Sequence, residues 1–217
     1  MVLKRTILIF SFICFASCYA DEKKLLADGY WLQKNRSTKT NVSVIHAYNN
    51  NQGNLNAEIY VPLSNVDYGK IHTPIIYCKE CGKGNAYGNK YDYSSGKDKY
   101  QGLEFVWNMK KKGSNKNNSK GPLYMNGAVL NPHDGKYYHV KARTIRYGKK
   151  IYVRAFWGPF GKTEYWERIS KIEAKKIREL CGLTKNNVYP YEDKSGKVVN
   201  QKLFEVCSTR DFIKNPL

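Results

Sequence analysis

The sequence predicts a mainly β, antiparallel domain followed by a short C-terminal helix. Residues 102–169 alternate between apolar and polar side chains in several short runs, and turn sequences separate these runs. A period of two is typical of strands that bury one face. After residue 169 the apolar residues recur at helical spacing instead. A chain of 217 residues is long enough for one such domain with terminal extensions.

The N-terminus predicts export. Lys4 and Arg5 precede an apolar stretch over residues 6–15, and Cys18 and Ala20 supply small residues before a cleavage position. This arrangement is typical of a secretory signal peptide over residues 1–20. Residues 15–18 also resemble a bacterial lipobox, in which Cys18 would be lipidated. No second apolar run reaches the roughly 18 residues that a membrane-spanning helix needs.

The charge balance predicts an anionic partner. The chain carries 37 Lys and Arg residues against 18 Asp and Glu residues, which gives a formal charge of +19. Anionic lipid head groups, acidic polysaccharide and nucleic acid all fit this balance. Export makes nucleic acid the poorest candidate of the three.

Four cysteines remain outside the leader, namely Cys78, Cys81, Cys181 and Cys207. An even number in an exported protein favours disulfides, and the simplest pairing joins neighbours in sequence: Cys78–Cys81 and Cys181–Cys207. The C-x-x-C spacing of Cys78 and Cys81 also occurs in zinc sites and thiol-redox enzymes. The glycine-rich residues that follow are typical of a loop rather than a helix, which favours a structural disulfide.

The first half of the domain contains two predicted strands and a long loop. Residues 42–48 form the first strand, and residues 54–63 form the second. The second strand alternates cleanly and predicts one buried face, made of Leu55, Ala57, Ile59, Val61 and Leu63. Residues 64–101 form a loop rich in Tyr, Gly and Lys that contains the C-x-x-C, and Pro74 confines any strand there to an edge.

The second half predicts strands over residues 103–110, 122–130 and 163–169, with a tight turn over residues 131–135. Between them lies a hairpin with a two-residue turn at Gly148 and Lys149. That turn pairs three sets of residues across the hairpin: Thr144 with Val153, Ala142 with Ala155, and Val140 with Trp157.

The C-terminal region predicts an amphipathic helix over residues 170–181. Ser170 and Glu173 have the spacing of a capping box, and Gly182 is a stop signal. Residues 198–206 fit either a helix or a strand.

Six short motifs occur in an order that resembles domain-of-unknown-function family 2147: Gly29-Tyr30-Trp31, Cys78-Lys79-Glu80-Cys81, Gly102-Leu103-Glu104-Phe105, Asn126-Gly127, the run over residues 131–138 and Tyr165-Trp166-Glu167-Arg168. Members of this family are exported bacterial proteins described as small calycin-like, or lipocalin-like, β-barrels. The resemblance covers residues 29–169. It implies an antiparallel up-and-down barrel of about eight strands, but no reaction, because the family has no established activity.

We predict a domain division in which the long cysteine loop and the C-terminal tail depart from the family, and the resemblance implies a structural role for two residues. Residues 21–169 form the barrel, with the cysteine loop over residues 64–101, and residues 170–217 form a helix and a disulfide-tied tail. In lipocalin-like barrels an early tryptophan closes one end beneath a basic residue of the last strand. Trp31 and Arg168 stand at these positions.

The predicted function is non-enzymatic binding of a small apolar or amphipathic ligand in the periplasm or at the outer membrane of a Gram-negative bacterium. Histidines and serines form no recognisable catalytic motif, and we predict no catalytic residue, cofactor or metal. The predicted lining of the barrel is Tyr138, Val153 and the aromatic residues Phe105, Trp107 and Trp157. A filled core is the alternative explanation for these side chains. A basic structural protein that engages anionic lipid or polysaccharide, and a C-x-x-C redox protein, are the other candidate functions.

Overall fold

The computed structural model describes residues 25–81, 98–113, 119–182, 191–193, 195 and 197–217. The predicted leader with Cys18 and most of the glycine- and tyrosine-rich part of the cysteine loop lie outside these residues. The described chain contains ten strands and two helices. The strands are β1 Gly29–Lys34, β2 Asn41–Asn49, β3 Leu55–Pro62, β4 Asn65–Asp67, β5 Lys70–His72, β6 Glu104–Lys112, β7 Leu123–Asn131, β8 Lys136–Ile145, β9 Lys150–Trp157 and β10 Phe160–Ile169. The helices are α1 Lys171–Leu180 and α2 Gln201–Thr209.

Eight of the strands form a closed antiparallel barrel in the order β1-β2-β3-β6-β7-β8-β9-β10, and β10 pairs back onto β1. Each strand lies beside its neighbour in this order, so the connection is up-and-down. The β4–β5 hairpin is an excursion between β3 and β6. The predicted fold, an eight-stranded antiparallel barrel, is therefore confirmed, and closure leaves none of these strands with an unpaired edge.

The barrel wall separates two apolar cores. The inner core includes Trp31, Ile45 and Ile151, and the outer core lies between the wall and the C-terminal helices, where Leu32 and Val44 pack near Ile177 of α1. Successive residues of a strand point to opposite faces, so one strand can supply both cores. The C-terminal helix and tail therefore bury an outer face of the barrel that would otherwise be exposed and apolar.

Strand β3 differs from its prediction, which placed five apolar residues on one face. Leu55, Ala57 and Ile59 do lie in the inner core, but Val61 and Leu63 lie in the outer core. The cause is a β-bulge opposite β2, where Val44 pairs with Val61 but the next residue, Ile45, pairs with Ile59. One extra residue moves the following side chains to the other face.

The β8–β9 hairpin has the predicted faces but a different register. Thr144 pairs with Ile151, and Ala142 and Val140 pair with Val153 and Ala155, so each partner is displaced by two residues from the prediction. The connection runs over residues 146–149, and Arg146, Tyr147 and Gly148 all have positive φ. The predicted two-residue turn was therefore wrong. A displacement by an even number of residues leaves the inward-facing side chains facing inward, so the predicted assignment of residues to the two faces is unchanged.

The predicted α1 is confirmed with its capping box. Glu173 N–H donates to Ser170 Oγ, and Ser170 N–H donates to Glu173 Oε2. Residues 198–206, which fitted either a helix or a strand, contribute to helix α2, whose first turn is capped by the Asn200 side chain. A disulfide joins Cys181, after α1, to Cys207 of α2. Neither described helix has the length and apolarity that crossing a membrane requires.

We expect the Cys181–Cys207 disulfide to contribute more stability than Cys78–Cys81, because it closes a span of 26 residues rather than 3. Loop-closure entropy gives about 3–4 kcal/mol for the first and about 2 kcal/mol for the second. Urea unfolding of the Cys181→Ala/Cys207→Ala double variant, compared with Cys78→Ala/Cys81→Ala, measures the difference. An equal or larger loss in the second variant would contradict the entropic explanation.

Candidate functional site

One end of the barrel is closed around Arg168 of β10. Its guanidinium lies over the Trp31 ring, 4.1 Å from the centroid. It also donates hydrogen bonds to three carbonyl oxygens: Gly148 O at 2.7 Å, Asp28 O at 3.0 Å, and Leu26 O. Burial lowers the pKa of Arg168, while the neighbouring Asp28 opposes this effect. These bonds satisfy a cation that would otherwise be costly to bury.

Residues 25–28, which precede β1, lie across the same end and are held there by hydrogen bonds. Trp31 Nε1 donates to Ala27 O at 2.9 Å, and Thr144 Oγ1 donates to Leu25 O. Gly29 has a φ of +125°, and a Cβ there would stand 2.9 Å from Nη1 of Arg168. The glycine of the Gly-x-Trp motif is therefore required both by its backbone conformation and by the space that Arg168 occupies.

Further along β10, away from this closed end, a carboxylate lies inside the barrel. Glu164 shares its strand face with Trp166 and Arg168, because side chains two residues apart point the same way. Its Oε2 accepts hydrogen bonds from Gln33 Nε2 at 2.7 Å and Trp166 Nε1 at 3.1 Å, and its Oε1 lies 3.0 Å from Lys162 Nζ. We call Gln33, Ser43, Lys162 and Glu164 the polar cluster, since Ser43 Oγ donates to Gln33 Oε1 at 2.6 Å.

The polar cluster keeps Glu164 ionised. Burial raises the pKa of Glu164, but the charge of Lys162 and hydrogen bonds from Lys162, Trp166 and Gln33 together outweigh it. The pKa therefore lies below the ordinary glutamate value. The Glu164 side chain remains 32% exposed, whereas Lys162 is 83% exposed. Lys162 is thus the most exposed partner of this carboxylate.

Aromatic and apolar side chains surround the polar cluster. The Phe105 and Trp166 ring centroids lie 6.4 Å apart, and Val153 of β9 stands directly opposite Glu164. Tyr100 packs against the same inner core, and burial, with a smaller effect of Glu164, raises the pKa of its hydroxyl strongly. This end of the barrel interior therefore combines a carboxylate, paired with the exposed Lys162, with apolar walls.

A family comparison places the chain. Residues 29–168 match the family described as "Uncharacterized protein conserved in bacteria (DUF2147)". The chain belongs to the DUF2147 family. A solved structure, protein HP1028 from the human pathogen Helicobacter pylori, is described as belonging to the lipocalin family. It is 18% identical, covers 70% of this chain and 88% of its own, and has a TM-score of 0.49. No curated protein sequence matches this DUF2147 chain.

The predicted lining residues divide into two groups. Val153 belongs to the inner core, and Phe105 and Tyr138 are half-buried against it. Trp157 is not a lining residue: it ends β9 and is 70% exposed. The two-residue change in hairpin register explains the error, because it removes the partner that was expected to hold Trp157 inward.

Trp107 is buried, but it does not line the interior. Its ring lies 5.9 Å from that of Tyr137, and it pairs with Ala128, which is opposite the outward-facing His139. A bulge where β6 leaves its register with β3 puts Trp107 on the outer face.

The C-x-x-C covers the outer face of β7 and β8 in this DUF2147 protein. Cys78 and Cys81 form the predicted disulfide and are 0% and 2% exposed. Cys78 Sγ contacts Pro132 O at 3.6 Å, and a Cβ on Gly135 would meet Glu80 O at 2.0 Å. Residues 78–81 form no helix. Buried sulfurs without a helix N-terminus favour a structural role over thiol redox chemistry.

The predicted role of residues 131–135 as a turn is confirmed. Asn131 Oδ1 accepts from His133 N–H, Asp134 Oδ1 accepts from Lys136 N–H, and Tyr138 donates its hydroxyl to Asp134 Oδ2. In the described part of the chain, no group of three His, Cys, Asp or Glu side chains is arranged to hold a metal.

The polar cluster was missed by the sequence reasoning. Its signal was present in the run Glu164-Tyr165-Trp166-Glu167-Arg168, where a period of two puts Glu164 on the face of the predicted closing Arg168. Gln33 and Ser43 had no such signal, because their approach to Glu164 depends on barrel closure.

We expect Arg168→Lys to lower the free energy of unfolding by about 2–4 kcal/mol, because an ammonium group cannot reach three carbonyl oxygens while stacking on Trp31. Urea unfolding measures the loss. Arg154→Lys is the matched control, since Arg154 lies on the outer face and donates mainly to Thr163 Oγ1 at 3.2 Å. Comparable losses in the two variants would contradict the closing role of Arg168.

Acid should destabilise the protein partly through Glu164. Its folded-state pKa lies below the ordinary value of 4.5. The stabilisation is therefore complete above pH 4.5 and disappears as the pH falls through the lower folded-state pKa. Unfolding free energies measured from pH 7 down to about pH 3 should fall less steeply in Glu164→Gln. An unchanged slope in that variant would show that Glu164 has no depressed pKa.

Proposed function

We propose that this protein is an exported binding module that takes a small amphipathic ligand into its barrel, with the ligand's polar group at Glu164. The observation that carries the proposal is an ionised carboxylate set among Phe105, Trp166 and Val153 within the barrel interior. Apolar walls with a few precisely placed polar groups are the usual composition of a small-molecule site. An eight-stranded barrel is also wide enough to enclose one small ligand.

The charge of the polar cluster selects the ligand's polar group. A carboxylate accepts hydrogen bonds, so it favours an amine or hydroxyl and repels another carboxylate. Lys162 is the natural group to be displaced, because its ion pair with Glu164 involves a side chain that is 83% exposed. An exposed ion pair contributes little stability, so its replacement by a ligand amine carries little cost.

Export is part of the proposal and has independent support. The leader-like residues 1–20 are followed by a domain that uses its four remaining cysteines in two disulfides. Disulfides persist in oxidising compartments and are rare in the cytosol. The periplasm or the outer membrane of a Gram-negative bacterium fits these features, and lipidation of Cys18 would decide between free and anchored forms.

The test uses delipidated, refolded protein titrated with three twelve-carbon probes that differ in polar group: dodecylamine, dodecanol and dodecanoate. Tryptophan fluorescence, through Trp166, and calorimetry report binding. We expect dodecylamine to bind best and dodecanoate worst. Glu164→Gln should weaken dodecylamine binding about ten-fold, since a charge-assisted hydrogen bond is lost.

Glu167→Gln is the matched control for this test. Glu167 lies three residues further along the same strand, on the outer face, where it pairs with Lys34 and Lys150. Its loss should leave the affinity unchanged. Failure of all three probes to bind would mean that the barrel interior is a filled core, and equal losses in the two variants would remove Glu164 from the site.

A further inference from the structure

A second concave surface lies outside the barrel, on the outer face of β7, β8 and β9. It is a groove of about 270 Å³. We call it the basic groove, and its lining residues are Lys120, Leu123, Lys141, Arg143, Ile145 and Tyr152. Arg143 pairs with Leu123 on one side and with Tyr152 on the other, so these three form a row across the strands. The groove is therefore separated from the polar cluster by the barrel wall.

The basic groove concentrates positive charge, and the described residues give it no acidic partner. Lys141 stands directly opposite Arg154 in the β8–β9 pairing, and like charges at such positions repel each other. None of the three cationic lining residues forms an ion pair with a carboxylate in the described ranges. The nearest interaction of Lys141 is with a ring, since its Nζ lies 5.6 Å from the Phe156 centroid.

Arg143 provides a more specific signal. Its Nε is buried and has no hydrogen-bond partner among the described residues. Arg143 as a whole is only half-buried and has no side-chain hydrogen bond to the described residues, so the rest of its guanidinium can donate to a group in the groove. The groove is also lined by the apolar side chains of Leu123 and Ile145 and by the ring of Tyr152. The Tyr152 and Tyr165 ring centroids lie 5.9 Å apart. An occupant that satisfies all of these groups needs an anionic end and an apolar body.

We propose that the basic groove binds a phosphate-bearing amphiphile, with the phosphate on Arg143, Lys120 and Lys141 and the apolar part on Leu123, Ile145 and Tyr152. A guanidinium donates two parallel hydrogen bonds to a phosphate, and the two lysines more than neutralise its remaining charge. The small volume of the groove and its apolar lining residues argue against a long acidic polysaccharide. This proposal does not rest on ligand binding inside the barrel.

The test measures binding of dodecyl phosphate, below its micellar concentration, and of inorganic phosphate by calorimetry at two salt concentrations. We expect dodecyl phosphate to bind more tightly than inorganic phosphate and to weaken with salt. Arg143→Gln should reduce its affinity about ten- to a hundred-fold, and Lys141→Gln by a smaller factor. Arg143→Lys should retain part of the affinity because it keeps the charge but loses the two-pronged geometry.

One control variant and one alternative variant complete the test. Lys171→Gln/Lys202→Gln removes two positive charges from the exposed surfaces of α1 and α2 and should leave the affinity unchanged. If Arg143→Gln lowers the thermal midpoint, Lys141→Gln carries the test. Equal weakening in the Lys171/Lys202 variant would mean that only net charge matters and would overturn the proposal. Equal affinity for dodecyl phosphate and inorganic phosphate would also overturn it, because the apolar side chains of Leu123, Ile145 and Tyr152 would then contribute nothing to binding.

Discussion

The contact between Arg168 and Trp31 is the constraint on which the barrel depends. Arg168 belongs to the last strand and Trp31 to the first, and the two are direct partners in the β1–β10 pairing that closes the sheet. The same guanidinium binds carbonyl oxygens of residues 26 and 28 and of the β8–β9 connection at Gly148. One side chain therefore joins the seam of the barrel, the segment that covers its end and a remote hairpin. Its cost of burial is offset because every bond it makes is charge-assisted.

This closure makes the two ends of the interior different. Arg168 and Glu164 lie on the same inward face of β10, four residues apart, and carry opposite charges. Arg168 donates its hydrogen bonds to backbone carbonyl oxygens, whose positions are fixed by the fold. Glu164 is satisfied by side chains, and its cationic partner Lys162 extends toward solvent. A buried charge held by the backbone is part of the scaffold, whereas one held by a movable side chain can exchange that partner for a ligand.

The sequence predicted what depends on local period and missed what depends on irregularity. Alternation located the barrel strands, and Ser170 and Glu173 located the start of α1, because both signals act over a few neighbouring residues. The errors arise at bulges and at a wide connection. Tyr60 and Asn108 interrupt otherwise regular strands, and Arg146 and Tyr147 adopt positive φ without the glycine or asparagine that would have marked it. The misplaced Trp107 and Trp157 are direct consequences. The polar cluster as a whole could not be predicted, because Gln33, Ser43 and Glu164 come together only when the first and last strands pair.

The part of the outer wall that no other segment covers is the part that holds the proposed basic groove. The C-terminal helices cover Leu32 and Val44, and the Cys78–Cys81 segment covers the outer face around Trp107 and Tyr137. Both covered regions are apolar, so burial stabilises them without any ligand. The remaining part of β7–β9 places Lys141 beside Arg154 and gives Arg143 Nε no hydrogen-bond partner among the described residues, and neither feature improves stability. Such features are unfavourable in a folded protein, and an anion in the proposed groove would offset the repulsion between Lys141 and Arg154. In the two proposals, the wall separates an inner site for hydrogen-bond donors from an outer site for anions.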